Sequence, residues 1–150
     1  MNINKYLACW TIALLLAGCT GLQAPKVEST HLYLLDAKPV INALPQRLEQ
    51  VLAISQPGSW PGFDTPKMAY QRLPHELEYF AAHRWADTPS RMLKPLLTQA
   101  LEPDFHAIVQ APGMIPADLR LDTELIRLQQ NFATRPSRIQ LTLRLSLIHI

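Results

Sequence analysis

The 150-residue sequence has few glycines, few charged residues and only two cysteines, and each of these shortages bears on which classes of protein it can belong to. Five glycines stand against thirteen prolines. We therefore expect short extended segments rather than long helical bundles, because proline interrupts helices and central strands. Only 17% of the residues are charged, and the fourteen Lys and Arg are scattered singly, which argues against a nucleic-acid partner. The 48% of hydrophobic residues indicates one folded domain rather than a disordered chain or a polytopic membrane protein.

No apolar run reaches the roughly 20 residues that a helix needs to cross a bilayer. The longest, residues 7–17, follows a short N-terminus with one lysine, which is the layout of an export signal that is later removed. The residues Leu16-Ala17-Gly18-Cys19 resemble a bacterial lipoprotein box. The resemblance implies cleavage between Gly18 and Cys19, a diacylglycerol on the Cys19 thiol and an acyl chain on its freed amine. The alternative is an ordinary secretion site beside an ordinary cysteine.

Cysteine usage agrees with a lipid anchor. Cys9 lies in the removed segment and Cys19 would be capped by lipid, so the mature chain would carry no free thiol and no disulfide. A diacylglycerol together with an N-acyl chain exceeds the two signals that stable membrane anchoring requires. Thr20 and Gly21 follow the cysteine in place of an aspartate, which resembles the pattern sorted to the outer membrane.

The chain divides into a signal peptide (1–18), a lipidated N-terminus and polar tether (19–30) and one domain (31–150). Apolar runs bounded by Pro and Gly residues predict strands over 31–36, 48–55, 67–73, 76–85 and 105–110. We expect the first of these strands to be buried. Thr88-Pro89 predicts a helix start, and Pro95 predicts an irregularity inside that helix. Alternating apolar residues predict a half-buried strand over 138–145.

The segment 119–132 is ambiguous. Its leucines recur at helical spacing, which slightly favours a helix, but they also fit a strand whose inward face switches at a bulge. From 57 to 66 the chain holds three prolines and two glycines with Trp60 and Phe63, a composition typical of a loop.

Together these motifs resemble the ABC-type transport auxiliary lipoproteins, the family that includes the Pqi intermembrane transport lipoproteins. The resemblance is carried by the lipoprotein box, by Tyr33-Leu34-Leu35-Asp36, and above all by the run from Ala82 to Asp87 that precedes Met92-Leu93. It spans residues 33 to about 143. It implies that the segment matching 118–132 is a long strand, and that the fold is an α/β sandwich of one mixed sheet with helices on one side.

The resemblance also implies a function without catalysis. The chain would be an accessory part of a lipid or hydrophobic-solute trafficking system at the periplasmic face of the outer membrane, working with an MCE-domain protein and a membrane permease. A homo-oligomer fits such a conduit. No residue transfers as catalytic, and no cofactor is implied beyond the covalent lipid on Cys19. An envelope-stabilising structural lipoprotein without a transporter partner is the alternative.

Four aromatic or basic residues are candidates for partner contact. Trp60 and Phe63 are the better pair, because aromatic residues on a loop are enriched at binding sites. Arg84 and Trp85 are the weaker pair, since Trp85 can equally fill the core while Arg84 faces solvent or pairs with Asp87.

An enzyme or a metal site is the rival class of function. The sequence lacks His-Glu-x-x-His, Gly-x-Ser-x-Gly and a glycine-rich phosphate loop. It therefore matches none of these common motifs for a metal site, a catalytic nucleophile or phosphate binding. His75, Glu76, Glu78 and His83 could meet across a hairpin to bind a metal, but exposed polar positions on an edge strand explain them equally well.

The last six residues form a separate question. Leu145-Ser-Leu-Ile-His-Ile150 is what a common transposon-based sequencing adapter encodes in frame, and family members usually continue through another helix. We expect residues 145–150 to be an artefact in place of the true C-terminus, so that the domain is truncated and one face of its sheet is left exposed. The alternative is a natural apolar strand end.

Overall fold

The computed structural model describes residues 29–37 and 44–150. Within them it forms one mixed sheet and one helix, so the predicted fold class is confirmed. The lipid-attachment and cleavage residues Cys19 and Gly18 lie outside the described residues. In chain order the elements are β1 (His31–Tyr33), β2 (Leu48–Ser55), β3 (Gly58–Ser59), β4 (Lys67–Gln71), β5 (Glu78–Trp85), α1 (Pro89–Leu101), β6 (Phe105–Ala111), β7 (Leu119–Asn131) and β8 (Arg138–His149).

The long strand β7 organises the sheet. On one edge it pairs antiparallel with β8 along its whole length. On the other edge it pairs in parallel with three strands in turn, β2 near its start, β3 at its middle and β4 near its end. Strand β6 extends the sheet beyond β2, while β5 and then β1 extend it beyond β4. The sheet therefore fans out from β7 into two groups of strands.

A bulge in β7 explains the ambiguous periodicity of this segment. The register with β8 shifts between Leu125 and Arg127. Before the shift Leu121, Thr123 and Leu125 are buried in strand alternation, and after it Leu128 is buried. The buried leucines alone are therefore spaced four and then three residues apart, as in a helix. The strand implied by the family resemblance is confirmed, and the helix that periodicity favoured is wrong.

Two groups of buried side chains form the core. Leu52, Ile54, Phe105 and Leu121 pack together where β2, β6 and β7 meet. Leu93 of the helix packs on Leu125 and Leu128 of β7 in the second group. Burying a leucine completely contributes about 1.5–3 kcal/mol, so Leu93, together with Leu101 against the first group, holds the helix on the sheet.

The helix begins as its sequence predicts. Thr88 is the N-cap residue and Pro89 occupies the first turn, where its missing N–H costs nothing. The Asp87 carboxylate accepts a hydrogen bond from the Thr88 amide at 2.7 Å. The helix then continues through Pro95 as far as Leu101.

Two strands differ in burial from the prediction. Strand β1 is an exposed edge strand of three residues rather than a buried strand over 31–36, because β5 supplies its backbone partner while its side chains face solvent. Strand β8 is longer than predicted and is mostly exposed rather than half-buried. Its apolar side bears Ile139, Leu141, Leu145 and Leu147, all more than half exposed. Among these described residues the helix covers β7 but leaves that part of β8 open.

Candidate functional site

The turn after β3 carries the two aromatic residues that sequence reasoning singled out. The Trp60 amide donates a hydrogen bond to the Leu125 carbonyl at 2.9 Å, which fastens the turn to the middle of β7. The Phe63 amide donates to the Trp60 carbonyl at 3.0 Å and closes the turn. Gly62 has a φ of 92°, a left-handed conformation that other residues adopt at a cost. The Tyr79 hydroxyl donates to the Gly62 carbonyl at 2.9 Å, so a strand supports the turn from behind.

Trp60 and Phe63 line a shallow pocket of about 250 Å³, which we call the Trp60 hollow. Its walls come from the turn, from the β4–β5 connection and from β7. The lining residues are Trp60, Phe63, Gln71, His75, Glu76, Leu77, Ile126, Arg127 and Gln129. Trp60 is 42% exposed, while Phe63 packs partly against the Leu93, Leu125 and Leu128 core. The hollow thus offers one exposed aromatic ring on a supported base.

Amide side chains from three strands fix the polar wall of the hollow. The Gln129 side chain is buried, and its Nε2 donates to the Gln71 Oε1 at 2.8 Å and to the Gln140 Oε1 at 3.2 Å. Each hydrogen bond fixes the orientation of an amide group that would otherwise rotate. A buried amide without a hydrogen-bond partner would lower the stability of the fold. The polar wall is therefore preorganised.

The charges around Trp60 are mostly paired. The Arg144 guanidinium lies 5.9 Å from the Trp60 ring centroid and also donates to the Glu124 carboxylate at 2.8 Å. This places a cation against the tryptophan ring, an arrangement worth about 0.5–1 kcal/mol at an exposed site. Arg127 lines the hollow and is exposed, so the site offers positive charge beside an aromatic surface.

A second charged cluster lies at the start of β5. Glu78 accepts hydrogen bonds from Arg72 Nε at 2.7 Å and from the Tyr70 hydroxyl at 2.9 Å. The hydrogen bond from Arg72 is the largest cause that holds the pKa of Glu78 below its usual value. The hydrogen bond to Glu78 in turn raises the pKa of Tyr70 and of Arg72. The cluster ties the end of β4 to the start of β5.

The other two candidate contact residues lie elsewhere. Trp85 packs on the helix side against Leu93, Leu125 and Leu128, and Arg84 beside it is exposed on β5. Asp87 is engaged by Arg91, at 3.6 Å, and by the Thr88 amide. The structure therefore brings Trp60 and Phe63 together but gives Trp85 a packing role and leaves Arg84 facing solvent.

Two of the four residues of the rival metal hypothesis, Glu78 and His83, make other contacts. Glu78 holds Arg72 and Tyr70, and His83 shares a hydrogen bond with the Tyr33 hydroxyl at 2.9 Å. In the part of the chain that the structure describes, no three His, Cys, Asp or Glu side chains are grouped as metal ligands. Also within that part, no helix is both long and apolar enough to span a bilayer.

Two apolar surfaces were missed by the sequence reasoning. One is a groove of about 270 Å³ beside the helix, lined chiefly by Leu35, Met68, Phe80, Trp85, Leu128, Ile139 and Leu141. The other is the loop between β6 and β7, where Met114 is fully exposed and Ile115 is 64% exposed. The Pro and Gly residues that flank Met114 and Ile115 mark a turn and could have revealed the second surface; no local pattern reveals the first, because its residues come from five separate segments.

Comparison with known proteins decides the family. The model of the ABC-type transport auxiliary lipoprotein component matches residues 33–148. The chain belongs to this family. It is thus a lipoprotein component of a transport system in the cell envelope, anchored to a membrane, with other components of that system as its partners. This role is that of an auxiliary transport subunit and points away from catalysis.

Solved structures agree on the fold of this lipoprotein. A protein from Xanthomonas campestris, described under the family model DUF330, is similar with a TM-score of 0.69 at 19% identity, over 80% of this chain and 69% of that one. An uncharacterized protein is similar with a TM-score of 0.54 at 14% identity, over 82% of this chain and 80% of that one. A comparison with curated proteins finds none that matches.

Proposed function

We propose that this lipoprotein is the periplasmic accessory component of an ABC/MCE-type system that moves lipids or hydrophobic solutes between membranes. Acylated Cys19 holds it to the outer membrane, and the folded domain recognises an MCE-domain protein that works with a membrane permease. Its mechanism is tethering and recognition. The family match over residues 33–148 is the observation that carries the proposal.

The Trp60 hollow is the proposed recognition surface. An exposed tryptophan in the same hollow as a preorganised polar wall is the kind of anchor that dominates binding at protein interfaces. Arg144 and Arg127 beside it would favour an acidic or carbonyl-rich segment of the partner. Because the turn is fastened to β7 and supported by Tyr79, docking would cost little ordering of the backbone.

The anchor is tested by separating membranes from soluble proteins in cells that express the full chain. Replacing Cys19 with Ser should leave the domain folded but release the protein from its membrane or mislocalise it. A Cys19→Ser protein that stays lipidated and membrane-bound would overturn the anchor. Separation of inner from outer membranes by density tests the proposed location of the wild-type protein.

Recognition is tested by co-purification of the full-length lipoprotein with the MCE-domain protein of its own transport system. Trp60→Ala should weaken binding by about tenfold or more, as truncation of an interface anchor does. Phe132→Ala is the matched control, because Phe132 is exposed to the same degree, 41% against 42%. Equal binding by the wild type and both variants would refute the Trp60 hollow as the recognition surface. Absence of any wild-type binding, with the lipid anchor intact, would instead favour an envelope-stabilising lipoprotein.

A further inference from the structure

We infer that the loop between β6 and β7 is a second contact point, an apolar tip that enters a hydrophobic socket on the partner protein. The inference rests on the proposed function, since it concerns the same partner, but it uses a surface separate from the Trp60 hollow. Met114 is fully exposed and Ile115 is 64% exposed. Two adjacent apolar side chains held in water in this way are a common sign of an interaction site.

The loop is held firmly at both ends. On one side Ala111 pairs with Ser55 of β2. On the other side the Asp118 amide donates to the Val51 carbonyl at 3.0 Å, and the Asp118 carboxylate accepts from the Val51 amide at 2.8 Å. The exposure of Met114 and Ile115 is therefore a property of an anchored projection and not of a long free segment.

The turn itself is also constrained. Pro112 and Pro116 flank the tip and restrict the backbone. Gly113 lies so close to the backbone oxygen of Gln110 that a Cβ at this position would clash with it. Little conformational entropy would then be lost when the tip docks, which favours its use in binding.

The charges around the tip favour a protein socket over a lipid surface. Residues 111–117 carry no charge, whereas loops and helices that bind anionic membranes are rich in Lys and Arg. The nearest acidic group, Asp118, is fixed by Val51, and Arg120 is paired with Asp122 at 3.1 Å. Methionine in particular is frequent at apolar protein-binding surfaces, because its side chain adapts to the shape of a partner.

The position of the tip also suits a contact that points away from the anchor. Strand β1 is where the chain enters the sheet. The pairing of β1 with β5, of β5 with β4 and of β4 with β7 places β1 beside Arg127 when position is measured along the strands. The tip precedes Leu119 at the opposite end of β7. The eight residue steps from Leu119 to Arg127 separate the two levels by about 25 Å along the sheet at ~3.3 Å per residue. The domain can thus be held at one end and bind at the other.

The test uses the full-length lipoprotein and the MCE-domain protein of its transport system. The double variant Met114→Ser and Ile115→Ser should bind the partner about tenfold more weakly. Its thermal unfolding should be unchanged, because both side chains are already in water. Leu32→Ser is the matched control, since it removes a leucine of β1 that is 68% exposed and lies outside both the tip and the Trp60 hollow, and it should leave binding unchanged.

A photo-crosslinking residue at position 114 identifies what the tip touches in intact cells. An adduct with the MCE-domain protein, lost on Ile115→Ser and kept on Leu32→Ser, supports the inference. Adducts only with phospholipid or with a second copy of the chain overturn it, as does full-strength binding by the double variant. If wild-type protein binds while the double variant is unaffected, only the tip is refuted. If wild-type protein does not bind at all, the proposed function fails.

Discussion

The Tyr33 hydroxyl and the His83 Nδ1 lie 2.9 Å apart, across the parallel pairing of β1 and β5. The imidazole of His31 stacks on that of His83, with ring centroids 5.3 Å apart. A strand of three exposed residues buries little apolar surface, so these polar and ring contacts contribute a large share of its attachment. They fasten the point at which the chain enters the sheet.

We predict that Tyr33→Phe loosens β1 without unfolding the domain. The Ala86 amide donates to the Tyr33 carbonyl at 2.8 Å, so its hydrogen exchange reports on the attachment of β1. Loss of one hydrogen bond costs about 0.5–1.5 kcal/mol, which should speed this exchange several-fold. Tyr79→Phe is the control, because its hydroxyl serves Gly62 instead. Unchanged exchange at Ala86 in Tyr33→Phe would contradict the assignment.

Two leucines on the same side of the β7–β8 pair should respond very differently to truncation. Leu125 is completely buried, and Leu125→Ala should lower the free energy of unfolding by about 3–5 kcal/mol. Leu141 of β8 is 52% exposed, and Leu141→Ala should cost less than about 1 kcal/mol. Urea unfolding of the Cys19→Ser protein measures both. A comparable loss from Leu141→Ala would show that the apolar side of β8 is covered in solution.

Glu78 should give the domain part of its sensitivity to acid. Its pKa is lowered in the folded state, chiefly by hydrogen bonds from Arg72, so it contributes stability that is complete above the unfolded pKa of about 4.3. This contribution is lost as the pH falls through the lower folded pKa. Between pH 6 and pH 3 the unfolding free energy of Glu78→Gln should therefore fall less than that of the wild type. A curve for Glu78→Gln that runs parallel to the wild-type curve would refute this role of Glu78.

Gly62→Ala should disturb the Trp60 hollow. The φ of 92° is strained for alanine, and the added Cβ would lie 2.8 Å from Leu77 Cδ2, so a loss of about 1 kcal/mol or more in unfolding free energy is expected. The wavelength of the Trp60 fluorescence emission should shift as well. At Gly58 an added Cβ would lie 4.0 Å from the nearest atom, the Thr123 carbonyl oxygen, so Gly58→Ala should have a smaller effect. Equal effects at the two positions would argue against a special backbone at Gly62.

Local patterns predicted most elements because each carries its own signal. Residues 48–55 form a strand with the predicted bounds, and Thr88-Pro89 starts the helix. Periodicity failed at β7 for a definite reason, since the bulge after Leu125 moves the buried side of the strand by one residue and gives Leu121, Leu125 and Leu128 a helical spacing. Only the family resemblance resolved this segment correctly.

Burial and the site could be predicted only in part. Alternation along β8 shows which side chains share a side of the strand, but it does not show whether another element covers that side. Loop composition pointed to Trp60 and Phe63, whereas Arg127 and Gln129 reach the same hollow through the pairing of β7 with distant strands. The truncation of the chain and the origin of residues 145–150 stay predictions.

The central place of β7 has a consequence for how fast the domain can fold. The Ser55 hydroxyl donates to the Asp122 carboxylate at 2.6 Å across 67 residues of chain, and β3 and β4 find their partner in the same late segment. Sheets closed by contacts between distant residues fold slowly, because a large loop must close before any pairing is gained. A chain that crosses a membrane from its N-terminus therefore delivers β1 to β6 before the strand that joins them. During that interval the two groups of strands, β2 with β6 and β1 with β5 and β4, have no strand between them to pair with.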